Sequence, residues 1–347
     1  MRGSLGVRVG LAAAAGLVLA GGVAVALPFR ATVQADRARV EGRATILASP
    51  FGDLEYRVGG GGSEESAPWV LLVHGAGGGY DMGELMAEIL LGDGFRWIAP
   101  SRFGYLGSSV PGDATPDTQA DAYAWLLDEL GIREVAVVAL SAGGASGLLL
   151  ALRHPERVSS LTLVSAGVTR VGAAEQEAAD WKGRMLVRLF SRDFPYWAVT
   201  TLFEGRFLEL MGVDREVGRG LTPEEGEWVR RLMEGMRPAS LRAQGAAFDN
   251  LAPLPGARIA GITDPTLVIH AEDDRLQLFE NARFAKATIP GARLLAFERG
   301  GHLVAITEQP TVREAVRGHI LGHVRDPGLD PGFDPGLESG FSPGEDP

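Results

Sequence analysis

With 347 residues and a hydrophobic content of 46%, the chain is long and apolar enough for one large domain or two small ones. A net charge of −11 argues against a basic surface that would neutralise phosphates, so no nucleic-acid partner is predicted. The absence of cysteine excludes disulfides, thiolate metal sites, a cysteine nucleophile and a lipid-modified N-terminal cysteine.

The first 30 residues predict export or anchoring. Arg2 and Arg8 precede an uncharged, mostly apolar run at 9–28, which at about 20 residues has the minimum length for spanning a bilayer. Ala24-Val25-Ala26 matches an A-x-A cleavage pattern. Residues 1–30 are therefore interpreted as a signal peptide or, with the arginines held inside, an N-terminal membrane anchor. Both predict a secreted or membrane-anchored protein with its bulk outside the cytoplasmic membrane, and an uncleaved segment 9–28 would associate it with the membrane.

Short apolar runs then alternate with helix-type segments, which predicts a doubly wound α/β fold with a mostly parallel sheet. The predicted strands are 44–46, 54–58, 69–73, 97–99, 135–139, 161–164, 266–270 and 293–297. The predicted helices between and after them are 82–91, 117–130, the small-residue run that ends near His154, 278–288 and 310–323. A glycine-rich turn is predicted from Gly59 to Ser63.

The alternation of strands and helices occurs in two separate parts of the chain. Residues 31–167 form the first part of the α/β core and residues 258–325 the second. Between them, residues 168–257 contain three helix-like segments with several tryptophans, at 173–190, 196–211 and 223–236, and we interpret them as a helical lid over one end of the sheet. A separate helical domain is the alternative. Residues 326–347 repeat Asp-Pro-Gly and predict a disordered tail.

Ser141 lies in the turn between the strand 135–139 and the following helix, within Ala139-Leu140-Ser141-Ala142-Gly143. A serine between a buried strand and a helix, with small residues two positions to each side, is the pattern of a nucleophile elbow. Alanine at 139 replaces the glycine of the G-x-S-x-G form. The simpler alternative is a helix-capping serine, so the partners decide.

Candidate partners follow two later strands. Among the six histidines, His302 follows two glycines in a loop after the strand 293–297, which makes it the candidate base. His154, His319 and His323 are interpreted as surface or helix positions, and His270 as a packing residue. The acid lies within Glu272-Asp273-Asp274; chemistry alone does not choose among these three, two of which should be solvated turn residues.

Two backbone N–H groups are candidates for binding an oxyanion. One is that of Ala142, directly after the serine, and the other is in the loop after His74-Gly75, most simply that of Ala76. The glycine-rich stretch that begins there contains neither G-x-G-x-x-G before a helix nor a Walker lysine, which argues against phosphate binding.

Together these residues resemble the α/β-hydrolase superfamily over roughly residues 40 to 323, and most of all its lidded branch of esterases, C–C bond hydrolases and cofactor-free haloperoxidases. The resemblance rests on the His74-Gly75 loop, the segment 101–109, the Ser141 elbow, the stretch 153–158, the acid loop and Gly301-His302. In that family the acid loop reads G-x-x-D. Ala271 takes the place of the glycine, so the resemblance implies Asp274 as the acid.

The resemblance implies a Ser141-His302-Asp274 triad that cleaves a carboxylic ester or related acyl bond of a hydrophobic small molecule, without a cofactor or metal. A serine nucleophile argues against an epoxide hydrolase or haloalkane dehalogenase, which use aspartate. Ser101 stands where the family often has aspartate. Open alternatives are C–C bond hydrolysis with the same triad, an N-acyl amidase, a lipase, and a non-catalytic membrane-tethered binding protein on this scaffold.

Overall fold

An eight-stranded sheet lies at the centre of the chain in the computed structural model, which describes residues 3–61, 66–170 and 172–324, without the side chains of residues 3–21, 173 and 174. The strands are β1 (Thr45–Ser49), β2 (Gly52–Gly60), β3 (Trp69–Val73), β4 (Arg96–Pro100), β5 (Val135–Leu140), β6 (Val158–Val164), β7 (Thr266–Ala271) and β8 (Arg293–Phe297). Their order is β1-β2-β4-β3-β5-β6-β7-β8. Only the pairs β1/β2 and β2/β4 are antiparallel among the described strands. The predicted doubly wound, mostly parallel α/β fold is confirmed.

Helices cover both faces of this sheet. They are α1 (Gly3–Val40), α2 (Tyr80–Met86), α3 (Pro116–Glu129), α4 (Gly144–Arg153), α5 (Ala173–Phe190), α6 (Asp193–Leu202), α7 (Glu204–Leu210), α8 (Arg215–Gly220), α9 (Pro223–Gly235), α10 (Ala243–Leu251), α11 (Glu280–Thr288), α12 (Val304–Thr307) and α13 (Gln309–Leu321). Alternate residues of β3 enter opposite cores, Val70 and Leu72 on one side and Leu71 and Val73 on the other. The continuous apolar strands arise because both faces of the sheet are covered.

The second strand extends further than the sequence predicts. The glycine turn predicted from Gly59 is wrong at its start, because Gly59 and Gly60 complete β2 and pair with Trp97 and Arg96 of β4. A Cβ atom at Gly59 would lie 2.1 Å from the Trp97 ring, so glycine is needed here to leave space for that ring and not to form a turn. Gly62 and Ser63 of the predicted turn lie outside the described residues.

The N-terminal helix continues through Pro28 to Val40, so it crosses the boundary predicted at residue 30 between the N-terminal segment and the α/β core. Most of the run 9–28 lies in the part whose side chains are not described, and its interpretation as a signal peptide or anchor stays a prediction. Among the described residues, no helix is long and apolar enough to cross a membrane. The tail 326–347 also lies outside the described residues.

The helices between β6 and β7 pack over the loops that follow β3 and β4. Phe190 of α5 lies against Gly77, where a Cβ atom would come within 2.4 Å of the phenyl ring. Asp249 of α10 accepts two hydrogen bonds of 2.6 Å from the buried guanidinium of Arg102, in the segment after β4. A bidentate, buried ion pair of this kind gives the helical insertion a defined position on the core.

Strand β5 and helix α4 approach each other closely at Ala139. A Cβ atom at Gly147 of α4 would lie 2.7 Å from the Ala139 Cβ, which is closer than Cβ atoms come in real structures. The contact therefore holds one methyl group and not two. The elbow pattern usually has a glycine at this strand position. In this chain the strand residue is Ala139, and the helix residue that faces it, Gly147, has no methyl group.

A double-mutant cycle tests this compensation. We expect Gly147→Ala to overpack the contact, and Ala139→Gly to relieve it, so that the double variant is more stable than the sum of the single changes by about 1–3 kcal/mol. Urea denaturation gives the free energies of unfolding. Gly318→Ala in α13 is the control, because its Cβ would meet nothing within 4 Å, and it should be additive with Ala139→Gly. Additivity in both pairs would contradict the compensation.

Candidate active site

Ser141 lies between the end of β5 and the start of α4, with a backbone φ of 52°. Only three non-glycine residues in the described chain have positive φ, and such a conformation costs on the order of 1–3 kcal/mol outside glycine. Two glycines let neighbouring backbone come close: a Cβ at Gly75 would lie 3.0 Å from the Ser141 Cβ, and one at Gly143 would lie 2.5 Å from the His74 carbonyl oxygen. The turn is thus a strained elbow packed against the loop after β3.

His302 meets Ser141 from the loop after β8. Its Nε2 lies 2.9 Å from the Ser141 Oγ, and its Nδ1 lies 2.8 Å from the Asp274 Oδ2. Gly300 and Gly301, with φ of 132° and 54°, form the bend that precedes the imidazole. All three side chains are buried. The structure therefore brings the three predicted residues together from three strand ends, β5, β7 and β8.

Asp274 is held on both carboxylate oxygens. Its Oδ1 accepts hydrogen bonds from the N–H groups of Leu276 and Gln277 at 2.8 and 3.0 Å. Burial opposes its charge, but interaction with His302, and hydrogen bonds with His270 and His302, outweigh burial and hold the pKa of the carboxyl well below its usual range. Asp274 is therefore an ionised acceptor for His302 Nδ1–H, which leaves Nε2 free to accept a proton.

The other two acidic residues of the loop differ from each other. Glu272 is exposed, as expected of a solvated turn residue. Asp273 is not one: its Oδ1 accepts a 2.7 Å hydrogen bond from the Gly301 N–H and so joins the acid loop to the loop of His302. No feature of the sequence distinguished it from its neighbours, because its partner is a backbone group on a different strand end.

Two of the remaining histidines have unexpected surroundings. His270 packs against Phe279 as predicted, but its Nε2 also lies 2.7 Å from the Gln277 carbonyl oxygen and 3.5 Å from the Asp274 Oδ2. His319 lies in α13, a helix position as predicted, but it is not at the surface. Its ring is buried, and burial, assisted by nearby His323, lowers its pKa to about 4.

The loop after β3, residues 74–79, is called here the oxyanion loop. Its His74 is fully buried, accepts the Arg102 N–H on Nε2 at 3.0 Å, and lies 2.7 Å from the Gly75 carbonyl oxygen through Nδ1. Burial lowers the pKa of His74 well below its ordinary value, so the ring is neutral and its hydrogen bonds hold the loop in place. Among the described residues, the Ala76 N–H has no hydrogen-bond partner, while those of Gly77 and Gly78 do. Ala76 and Ala142 are both half-buried beside the serine.

Ser101 stands where the family often has an aspartate, and the carboxylate beside it is provided by another residue. Its hydroxyl donates a 2.6 Å hydrogen bond to the Glu55 Oε2 and accepts one from the Tyr80 N–H. Glu55 comes from β2 and also accepts from the Gly107 N–H. Glu55 was not among the predicted site residues, although an acidic residue between the apolar Leu54 and Tyr56 of a strand was a usable signal.

Cavities lie on both sides of the elbow. The first, of about 50 Å³, is apolar except for the imidazole at its edge; its lining comprises Met82, Leu85, Met86, Ile89, Leu90, Leu140, Leu232, His302, Leu303, Ala305 and Ile306. The second, of about 60 Å³, has a mixed polar and apolar lining, which comprises Arg102, Pro116, Gln119, Ala142, Ala145, Ser146, Gly167, Phe248, Asp249, Ala252, Leu254 and Gln277. No group of three or more metal-ligating side chains that could hold an ion occurs in the described part of the chain.

Comparisons with known proteins agree with this architecture. Residues 68–309 match the model of the alpha/beta hydrolase fold family. A pimeloyl-[acyl-carrier protein] methyl ester esterase of Aromatoleum aromaticum is 30% identical over 68% of this chain and 91% of its own length. A 2-hydroxymuconate semialdehyde hydrolase of Pseudomonas putida is 30% identical over 68% and 81%, respectively. An alpha/beta hydrolase fold protein of Nakamurella multipartita superposes with a TM-score of 0.61 at 29% identity, covering 80% of this chain and 98% of that one. The chain is a hydrolase of the α/β-hydrolase family.

Glu55 provides a test of the hydrogen bonds around Ser101. Burial raises the pKa of this carboxyl above its ordinary value of 4.5, despite the hydrogen bonds that favour its charge. Since the folded-state pKa is the higher one, the wild type loses stability as pH rises from the ordinary value through the raised one, and Glu55→Gln avoids that loss. We expect the stability difference to move in favour of the variant between about pH 4 and pH 7.

Urea denaturation at steps across this range measures the difference. Glu129→Gln, at an exposed carboxyl at the end of α3, serves as the control. A stability difference between Glu55→Gln and the wild type that is constant with pH, or that moves in favour of the wild type, would contradict the raised pKa of Glu55.

Proposed function

We propose that this α/β hydrolase is a serine hydrolase that cleaves a carboxylic ester of a hydrophobic small molecule. The observation that carries the proposal is the continuous hydrogen-bonded chain from the Ser141 Oγ through both nitrogens of His302 to Asp274. Acyl transfer by serine needs this order of groups, because the hydroxyl is a weak nucleophile until a base takes its proton. The ionised Asp274 keeps the proton of the imidazole on Nδ1.

In the proposed mechanism, the Ser141 Oγ forms a bond to the ester carbonyl carbon while its proton passes to His302 Nε2. The negative oxygen of the tetrahedral intermediate is bound by the N–H groups of Ala76 and Ala142. When the intermediate collapses, the bond to the leaving alkoxide breaks and the imidazolium gives its proton to that oxygen. Water then repeats the sequence on the acyl-enzyme: His302 takes a proton, hydroxide adds to the acyl carbon, and Ser141 leaves with the proton returned.

Substrate class is proposed from the cavities beside the serine. The cavity at His302 is lined by leucine, isoleucine, methionine and alanine, which suit an apolar group of the ester. C–C bond hydrolysis is the second candidate, supported by the muconate semialdehyde hydrolase relative. A muconate semialdehyde has a carboxylate that needs a cationic partner. The described lining offers only Arg102, in the second cavity, and Asp249 already binds it on both nitrogens. The ester is therefore the proposed substrate.

Replacing Ser141 with alanine removes the proposed nucleophile without changing the size of the side chain by more than one atom. We expect hydrolysis of an aryl ester of a medium-length fatty acid to fall by at least about 10⁴-fold, because the triad acts as a unit. Ser165→Ala is the matched control: Ser165 is also buried and also has positive φ, at 45°. It should retain wild-type turnover. A Ser141→Ala variant that keeps turnover would contradict the proposal.

The role of Asp274 is tested by Asp274→Asn. The amide keeps the shape but presents N–H to His302 Nδ1, which favours the wrong tautomer, and we expect kcat to fall by about 10⁴-fold. Asp273→Asn is the matched control, because an amide oxygen can still accept the Gly301 N–H, and kcat should stay within about tenfold of wild type. Equal losses in the two variants would show that Asp274 has no special role.

The same assays separate the two candidate reactions. Purified wild type is given a panel of aryl esters and a vinylogous diketone in parallel. We expect the esters to be turned over with the higher kcat/KM. A preference for the diketone would replace the ester proposal by the C–C bond hydrolase with the same triad, and loss of all turnover with an intact fold would favour the non-catalytic binding protein.

A further inference from the structure

Helix α1 precedes the residues that match the family model, yet its last turns contact the catalytic core through a half-buried arginine and a buried aspartate. Arg39 donates a 2.6 Å hydrogen bond to the Asp81 Oδ2, at the start of α2. Asp81 is almost fully buried. Two residues earlier on the chain, the oxyanion loop ends at Gly79. The N-terminal helix is thus one side chain away from the loop proposed to bind the oxyanion.

A second guanidinium completes the link to the loop. Arg242, which is fully buried in the helical insertion, donates to both oxygens of Asp81 at 3.1 and 2.8 Å and to the Gly78 carbonyl oxygen at 2.6 Å. Burial opposes the charge of Asp81, but the two arginines outweigh it and lower the pKa of the carboxyl. Asp81 is therefore ionised, and it orients the arginine that holds Gly78.

Arg39 also holds the insertion. Its second terminal nitrogen donates to the carbonyl oxygens of Glu234, in the last turn of α9, and Arg237, just after it. These oxygens also accept hydrogen bonds from the Arg237 N–H and from the Arg242 guanidinium, respectively. Beside it, Asp36 forms a buried 2.9 Å ion pair with Arg237. From the first residue of α2, the Tyr80 hydroxyl donates to the Val40 carbonyl oxygen at 2.7 Å. Arg39 therefore joins three elements: the N-terminal helix, the helical insertion and the start of α2.

We propose that Arg39 is a positioning residue for the reaction, and that the end of α1 sets the placement of the oxyanion loop through Asp81 and Arg242. The proposal rests on the proposed function. Without Arg39, Asp81 and the carbonyl oxygens of Glu234 and Arg237 keep their other donors but lose the contacts that tie them to α1. The Gly78 carbonyl is then held by an arginine with more freedom, and the neighbouring Ala76 N–H loses its fixed direction. A displacement of about 1 Å at such a group costs up to 100-fold in rate.

The test replaces Arg39 by glutamine in the full-length chain. We expect kcat for the aryl ester to fall on the order of tenfold with KM changed by less than about threefold, because the oxyanion exists only in the transition state. The inhibition constant of a trifluoromethyl ketone, whose serine adduct bears an oxyanion, should rise by the same factor. Arg43→Gln is the matched control: Arg43 also reaches α2, at Glu84, but is exposed, and it should leave both quantities unchanged.

The outcomes are distinct. A lower melting temperature for Arg39→Gln with wild-type kcat and inhibition constant would show a purely structural role and overturn the proposal. A lower kcat without weaker inhibition would overturn the link to the oxyanion loop. If Arg39→Gln does not fold, Arg39→Lys replaces it, since lysine keeps the charge but cannot span Asp81 and the α9 carbonyls; it should show the same parallel change, smaller in size, and Arg43→Lys should not. Failure of the proposed function itself appears separately, as absence of turnover in the wild type.

Discussion

The imidazole of His302 is the point on which the arrangement depends, because it is hydrogen-bonded on both nitrogens to residues from two other strands. A parallel sheet makes this possible: β5, β7 and β8 end at the same edge, so three loops distant in sequence meet there. Each loop is further fixed by backbone contacts. Ser141 has a strained φ, Asp274 accepts two N–H groups, and Gly301 donates to Asp273. The geometry is therefore built before any substrate arrives, which is what electrostatic stabilisation of a transition state requires.

Around this centre, ion pairs position the surrounding elements relative to one another. Arg102 binds Asp249 of the insertion, and Arg242 and Arg39 share Asp81. Buried ion pairs contribute little net stability, since desolvation offsets their attraction, but removing one partner leaves an expensive charge. Such pairs are suited to specifying where one element lies on another. In this chain they connect the N-terminal helix and the helical insertion to the loops that surround Ser141.

Much of the fold could be predicted from the sequence, for physical reasons. A continuous apolar run such as 135–139 is typical of a strand that is covered on both faces, and a serine, an acidic cluster and a histidine after two glycines each followed a predicted strand. Proximity of the three side chains then followed from the parallel order. The choice of Asp274 within the acidic cluster needed the family resemblance, because Asp273 and Asp274 differ in the direction of their side chains and not in chemistry.

What the sequence did not predict depends on contacts between distant residues. Gly59 was interpreted as a turn residue because the space it leaves for Trp97 is not visible along the chain. His319 was predicted at a surface or helix position; it lies in α13, and its burial there is not visible along the chain. The contact of Arg39 with Asp81 leaves no local pattern, and the acidic residue between Leu54 and Tyr56 does not by itself reveal Ser101 as its partner. In each case the deciding contact joins residues that are distant in the sequence, and only the packed chain shows both partners.

The most direct test of the account is to map the site of covalent labelling by a fluorophosphonate, using mass spectrometry of the digested full-length chain. The account predicts a single modified peptide, with the phosphonyl group on Ser141, because this hydroxyl alone among the described serines has an imidazole within hydrogen-bond distance. Modification of a different residue, or no modification of the folded chain, would contradict it.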